Sequence, residues 1–287
     1  MTTGGNSQMI LRSGETRRTR RGLKQLLGVA FMTSALVCYM PLTALAETPA
    51  EAADSILKNM SDYLATVQNL TLDFSADVEA VSHAGQSHLS GAKIQFSSAG
   101  HLMLSRPDKI RVRRTGGIAD VEFISDGKTL TIYGKRANAY AQADAAPTID
   151  ELVDDVRAFT GAALPGGDLL FSDVYERLSG NIEQAAYIGI ENIDGTECHH
   201  LLFRTPDVDW QIWVEAGDKP VPRKYVVTSK WITGAPQYQL RISGWNDSPS
   251  LPADTYTFNP PEGAKSVNIE QLEGIGDLPA SVAIGGQ

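Results

Sequence analysis

The sequence predicts a mainly β fold with a few helices: one domain of about ten or eleven strands in a single antiparallel sheet, curled around a small helical group. Three observations predict it. From Leu70 onward apolar residues recur at every second position, segment after segment. The connections between these segments are too short for parallel crossovers, and two of them carry Asp-Gly pairs that suit tight hairpins. Two other segments switch to three- and four-residue spacing, one ahead of the strands and one in their midst.

Residues 1–46 read as a secretory signal peptide. Arg12, Arg17, Arg18, Arg20, Arg21 and Lys24 form a cationic cluster against Glu15 alone, and an apolar run follows from Leu26 to Leu36. Pro41 then breaks any helix, and Ala44-Leu45-Ala46 supplies the small residues of a cleavage site. A membrane anchor needs roughly 18 or more uninterrupted apolar residues, and Thr33 and Ser34 dilute this shorter run. Thr19-Arg20-Arg21-Gly22-Leu23 partly resembles a twin-arginine signal, which leaves the export route open. Cys38 is expected to leave with the peptide, and the destination is a Gram-negative-type periplasm.

Thr48 to Gln68 reads as an amphipathic helix. Thr48 stands at the N-cap with Pro49 first in the helix and Glu51 three residues on. Ala53, Ile56, Leu57, Met60, Leu64 and Val67 make one apolar stripe. A first meander is predicted over 70–143. Leu72, Phe74, Ala76 and Val78 alternate with polar residues, and Ile94 to Phe96, Leu102 to Leu104 and Ile110 to Arg113 continue the pattern, separated by Gly85, Gly100 and Pro107. Val121 to Ser125 and Leu130 to Tyr133 flank the Asp126-Gly127 hairpin. Thr148 then caps a helical insert bearing Ile149, Leu152, Val153, Val156 and Phe159 on one side, and Asp168 to Leu178 forms a second short helix. Strands resume over Ala186 to Glu191, Cys198 to Arg204, Asp209 to Glu215, Arg223 to Trp231 and Tyr238 to Trp245, with Asp194-Gly195 as a turn. The domain is expected to span 47–270, and 271–287 to form a flexible Gly- and Glu-containing tail.

Charge and motifs narrow the function. The whole chain carries a formal charge of −9, and loss of 1–46, with six basic residues and one acidic, takes it to −14. Such a chain repels nucleic acid. Cys198 is then the lone cysteine, so no internal disulfide forms and a buried, inert thiol is expected. His199 and His200 are strand neighbours that point to opposite faces and cannot share a metal. Asp154-Asp155 reads as a solvated helix surface, and no nucleophile elbow, phosphate loop or HExxH occurs. Neither enzyme chemistry, a metal nor a cofactor is expected.

Ser105-Arg106-Pro107-Asp108-Lys109-Ile110-Arg111, followed by Ile124-Ser125-Asp126-Gly127-Lys128-Thr129-Leu130-Thr131-Ile132-Tyr133, resembles the outer-membrane lipoprotein carrier (LolA-like) superfamily. The order of elements and the Phe258 to Gly263 ending match as well. Glu197 to Leu201, Asp209 to Trp213 and Pro222 to Tyr225 look closer to an uncharacterised branch of predicted periplasmic proteins in that superfamily. The resemblance covers about residues 50–265. It implies an open half-barrel whose apolar concave face is covered by the N-terminal helix and the helical insert, and which holds an acyl chain.

On that basis Phe74, Phe96, Leu104 and Ile132 of the first meander are expected at the cavity, with Leu152, Val156 and Phe159 of the insert as its lid. The second meander would supply Trp210, Ile212, Tyr225 and Leu240. Arg106 maps onto the arginine that bonds the lid backbone in such carriers. Arg111, Arg113 and Arg114 depart from the aromatic residues common there; they would meet a carboxylate or headgroup, or decorate the wet face. The implied function is a monomeric periplasmic carrier of a lipid, acyl chain or acylated protein, with transient contact to an inner- or outer-membrane protein. The alternative is an interaction or sensing module of the same fold that carries no lipid.

Overall fold

The computed structural model describes residues 47–82, 91–117, 119–160, 164, 166–272 and 275. The signal-peptide reading of 1–46, Cys38 included, and the Phe159 side chain lie outside the described residues.

The chain opens with α1 (Pro49–Thr66), started by the capping box its sequence promises. The Thr48 side chain accepts from the Glu51 amide at 3.2 Å, while the Glu51 carboxylate accepts from the Thr48 amide at 2.8 Å. Its stripe is driven fully inside, with Ala53, Leu57 and Met60 at 0 % exposure. Burying Leu57 and Met60 contributes roughly 1.5–3 kcal/mol each.

Six strands follow: β1 (Asn69–Val81), β2 (Lys93–Ser105), β3 (Lys109–Gly116), β4 (Asp120–Asp126), β5 (Thr129–Gly134) and β6 (Ala139–Asp144). The insert comprises α2 (Ile149–Thr160), a 3-10 turn (Gly167–Leu170) and α3 (Val174–Ser179). Then come β7 (Gln184–Ile193), β8 (Thr196–Arg204), β9 (Val208–Glu215), β10 (Pro222–Ser229), β11 (Gln237–Asn246) and the two-residue β12 (Lys265–Ser266). All twelve join one open sheet in the order β12-β6-β5-β4-β3-β2-β1-β11-β10-β9-β8-β7. The two meanders therefore meet where β1 pairs with β11.

Three details correct the sequence reading. The segments Ile94 to Phe96 and Leu102 to Leu104 are one strand, because Gly100 is not a turn: it pairs with Phe74 and Arg114 in mid-sheet. A side chain at Gly100 would collide with the Phe74 ring and the Arg113 carbonyl, so glycine is there to admit the ring. The second helix of the insert is broken, with Phe171 extended between the 3-10 turn and α3 and fully buried under the Arg177 guanidinium. Finally, β12 adds a strand that runs parallel to β6, too short to show a period. Leu272 and Ile275 are buried in the main core, and residues 273, 274 and 276–287 of the expected tail lie outside the described residues.

The predicted Asp194-Gly195 hairpin is present, both residues having positive φ (51° and 89°), as a tight antiparallel turn requires. Residues of alternate parity in the strands face one core that also receives α1, α2 and the 3-10 turn. The two helices sit differently on it. α1 packs closely along β7 and reaches β8 and β9, whereas the backbone of α2 is close chiefly to the 3-10 turn.

Candidate functional site

That difference creates a cavity of about 180 Å3 beneath α2. Its floor is made by the inward parity of the central strands: Leu240 and Ile242 of β11, Phe74 and Ala76 of β1, Leu102 of β2, Ile110 and Val112 of β3. Its roof is Leu152, Val153 and Val156 of α2 with Leu169 and Leu170 of the 3-10 turn. Leu64, near the end of α1, closes one side. Ser98, Tyr238 and the Trp245 indole bring polar groups, and Arg114 the charge, to a lining that is otherwise aliphatic and aromatic.

Of the residues expected here, Phe74, Leu152, Val156 and Leu240 line the cavity. Leu104 and Ile132 face the same side but are 1 % exposed and enclosed in solid core. Phe96 is half-buried on the inner face, opposite Val78, which does line the cavity. Trp210, Ile212 and Tyr225 are buried away from it. There the Phe203 and Trp210 rings stack at 4.2 Å, Trp210 meets Tyr225 edge-on at 5.9 Å, and α1 packs over this half of the face. Alternation alone would have found Leu72, Leu102 and Val112, which share parity with the residues named. It also places Arg114 inward, on the face of Ile110 and Val112.

Arg106 sits at the rim, 14 % exposed, where the two helical covers meet. Its Nε donates to the Val67 carbonyl at 3.1 Å and its Nη2 to the Leu170 carbonyl at 2.8 Å, and the guanidinium lies 4.0 Å from Asp150. Asp150 in turn accepts from the Ser172 amide at 3.0 Å. Burial draws the Arg106 pKa below the ordinary arginine value, with Asp150 acting against the shift, and the group remains cationic.

The other β3 arginines are committed to the opposite face. Arg111 and Arg113 both donate to Glu122 Oε1, at 2.6 and 2.7 Å. Burial pushes the Glu122 pKa up, but the hydrogen bonds and charges of the two arginines outweigh it and hold the carboxyl below its ordinary value. Arg111 also donates to the Thr255 carbonyl at 2.8 Å, fastening the C-terminal segment to the convex face.

His199 and His200 do face opposite ways. His199 lies against the Tyr187 hydroxyl at 3.3 Å, while His200 stacks on Trp213 at 4.1 Å between Glu191 and Gln211. The Cys198 thiol is fully buried, and burial pushes its pKa up to about 11. It is a thiol, not a thiolate, near neutral pH.

An open sheet closed over an apolar space by a helical cover defines a binding fold. The chain belongs to the family described as predicted periplasmic protein (DUF2092), whose model matches residues 53–270, and it is a periplasmic protein. The sequence reading, too, points to a family of predicted periplasmic proteins. Among solved structures it is similar to an uncharacterized conserved protein from Thermus thermophilus, at 11% identity over 76% of this chain and 99% of that one, TM-score 0.41. It is similar to LprF from Mycobacterium bovis at 11% identity, with 73% and 99% covered and a TM-score of 0.39. A LolA superfamily protein from Nitrosomonas europaea is similar at 12% identity, with 72% and 97% covered and a TM-score of 0.33. No curated protein matches the chain.

Proposed function

We propose that this chain is a periplasmic binding or carrier protein that takes the acyl chain of a lipid, or of an acylated partner, into the cavity beneath α2. The cavity itself carries the reading. Protein interiors are close-packed, yet here about 180 Å3 is left open within an almost wholly apolar lining. An apolar cavity of about 150 Å3 takes up benzene, so this one accommodates roughly six to seven carbon atoms by the same measure. At about 0.8 kcal/mol per buried methylene, six methylenes contribute roughly 5 kcal/mol. A longer chain requires the 3-10 turn and α2 to move outward, and Arg106 holds them in place.

Native mass spectrometry of protein purified without detergent tests the proposal. A co-purifying lipid mass is the expected result, together with binding of the uncharged dye N-phenyl-1-naphthylamine. Leu152→Asp, which puts a carboxylate into the roof, is expected to weaken dye binding at least ten-fold while the chain stays folded. Dye binding unchanged by that substitution would remove α2 from the role of lid.

A second reading, an interaction module without lipid, draws on β7. This strand ends the sheet, no described strand pairs with its outer edge, and it exposes Ile188 and Ile190 at 51% and 50%. Such an edge can accept a strand from a partner. Absence of both lipid mass and dye binding would favour it.

A further inference from the structure

We propose that the cavity is selective for a single-chain amphiphile with an anionic head, and that Arg114 is the residue that contacts that head. The inference rests on the reading of the cavity as an acyl-chain site and specifies its ligand class.

The strand β3 carries three arginines that the fold sorts by parity. Arg111 and Arg113 turn outward and share Glu122. Arg114 follows Ile110 and Val112 to the concave side and is the charged side chain among the described residues lining the cavity. It stands in a cross-strand row of Ile242, Phe74, Gly100, Arg114 and Val121. Within that row Gly100 lets the Phe74 ring lie across the sheet toward β3, so apolar surface runs up to the arginine. Ser98 lines the same wall, one step along the diagonal in register, since it pairs with Gly116 while Arg114 pairs with Gly100. Diagonal neighbours of this kind lie about 7–8 Å apart, a separation at which a hydroxyl and a guanidinium can hold one carboxylate or phosphate between them.

On β3 Arg114 is the last lining position, while on β1 and β11 Val78 and Tyr238 carry the lining one cross-strand row beyond Ser98. From Arg114 the floor continues along β3 to Ile110, four residues and about 13 Å away, with Val112 between them. This is the layout for a tail laid along the floor with its charged head at Arg114. Guanidinium is more weakly hydrated than ammonium and matches the two oxygens of a carboxylate or phosphate. It therefore loses less than a lysine would on facing an apolar pocket, and its several donors can serve an anionic head along with whatever else they meet. A neutral head offers those donors nothing comparable.

Octanoate, octyl phosphate and octanol share a chain length and differ in the head. Their displacement of N-phenyl-1-naphthylamine from the full chain tests the assignment. Both anions are expected to displace the dye at concentrations at least ten-fold below octanol. Arg114→Gln should erase that gap while octanol is unaffected, and Arg114→Lys should keep part of it. Tighter octanoate supports a fatty-acid carboxylate and tighter octyl phosphate a phosphate head; each supports the assignment. Equal displacement by all three, or a gap that survives Arg114→Gln, overturns the role of Arg114 and leaves the acyl cavity standing. Failure of all three to displace a dye, octanol included, overturns the cavity reading as well. The wild-type comparison needs no variant, so a glutamine chain that does not fold still leaves the charge dependence decided, with the lysine variant reporting on the residue.

Discussion

Replacing Arg106 with methionine should make the cavity easier to enter. The substitution keeps a long apolar stem and removes the bonds from the guanidinium to the Val67 and Leu170 carbonyls. Hydrogen bonds from a charged donor are worth about 1.5–3 kcal/mol each, and water can partly replace them at a rim position that is 14 % exposed. About 3 kcal/mol in total is a reasonable sum, which corresponds to roughly a hundred-fold change in an equilibrium constant. Leu170 lines the cavity, so its release loosens the roof directly. If the dye enters only an opened state, its apparent affinity is reduced by the fraction of molecules that are open. Arg106→Met should then tighten N-phenyl-1-naphthylamine binding, by up to about 100-fold before the open state dominates, and speed its association in stopped-flow mixing. Thermal stability should fall in the same variant. Loss of stability without tighter or faster binding would refute the reasoning, because it would make Arg106 a structural clamp with no influence on access.

Three further outcomes are expected. Glu122→Gln should cost about 3 kcal/mol in urea unfolding at pH 7, as breaking a buried ion pair does; because the folded-state pKa of Glu122 is depressed below 4.5, the wild-type advantage is complete above that value and shrinks as pH falls through the lowered pKa. An advantage that grew with acidification would contradict the pairing with Arg111 and Arg113. Gly100→Val should destabilise by about 2 kcal/mol or more through overpacking, and Phe74→Ala in the same chain should recover part of the loss, since the ring is one of the two obstacles; strict additivity of the two substitutions would deny the contact. Cys198, with its pKa at about 11, should react with a thiol reagent at pH 8 only after denaturant is added, and rapid labelling of the native chain would show that the thiol is accessible.

Elements whose information is local are legible in the sequence. The Thr48 and Glu51 capping box, the α1 stripe and the Asp194-Gly195 turn each follow from residues a few positions apart, and all are formed. Alternation also gives the inward face of every long strand. What covers that face is a matter of distant packing, which alternation does not carry. Trp210, Ile212 and Tyr225 have the same inward parity as Leu240, yet α1 and the Phe203 ring fill the space above them. Gly100 reads as punctuation because the Phe74 ring that occupies its place comes from another strand. The insert reads as two whole helices because Phe171 carries no local breaker; it is extended to plant its ring beneath Arg177.

The apolar hollow lies under α2, and the cause is distance. α1 reaches β1 through a short connection and lies close on β7, so its side chains fill the concavity down to the sheet. α2 stands off, and its leucine and valine side chains span only part of the gap. Arg106 joins these two regimes, with Nε on the carbonyl that follows α1 and Nη2 on the carbonyl that ends the 3-10 turn. Its backbone amide, bonded to the Gln68 carbonyl, fixes it to the filled half. One side chain therefore ties the segment after α1 to the 3-10 turn beside α2. With it in place the space suits roughly six or seven carbons, by comparison with a benzene-sized cavity. On the proposed carrier reading, a full acyl chain is seated by a state in which the tie is broken, and ligand length and lid position are then coupled through Arg106.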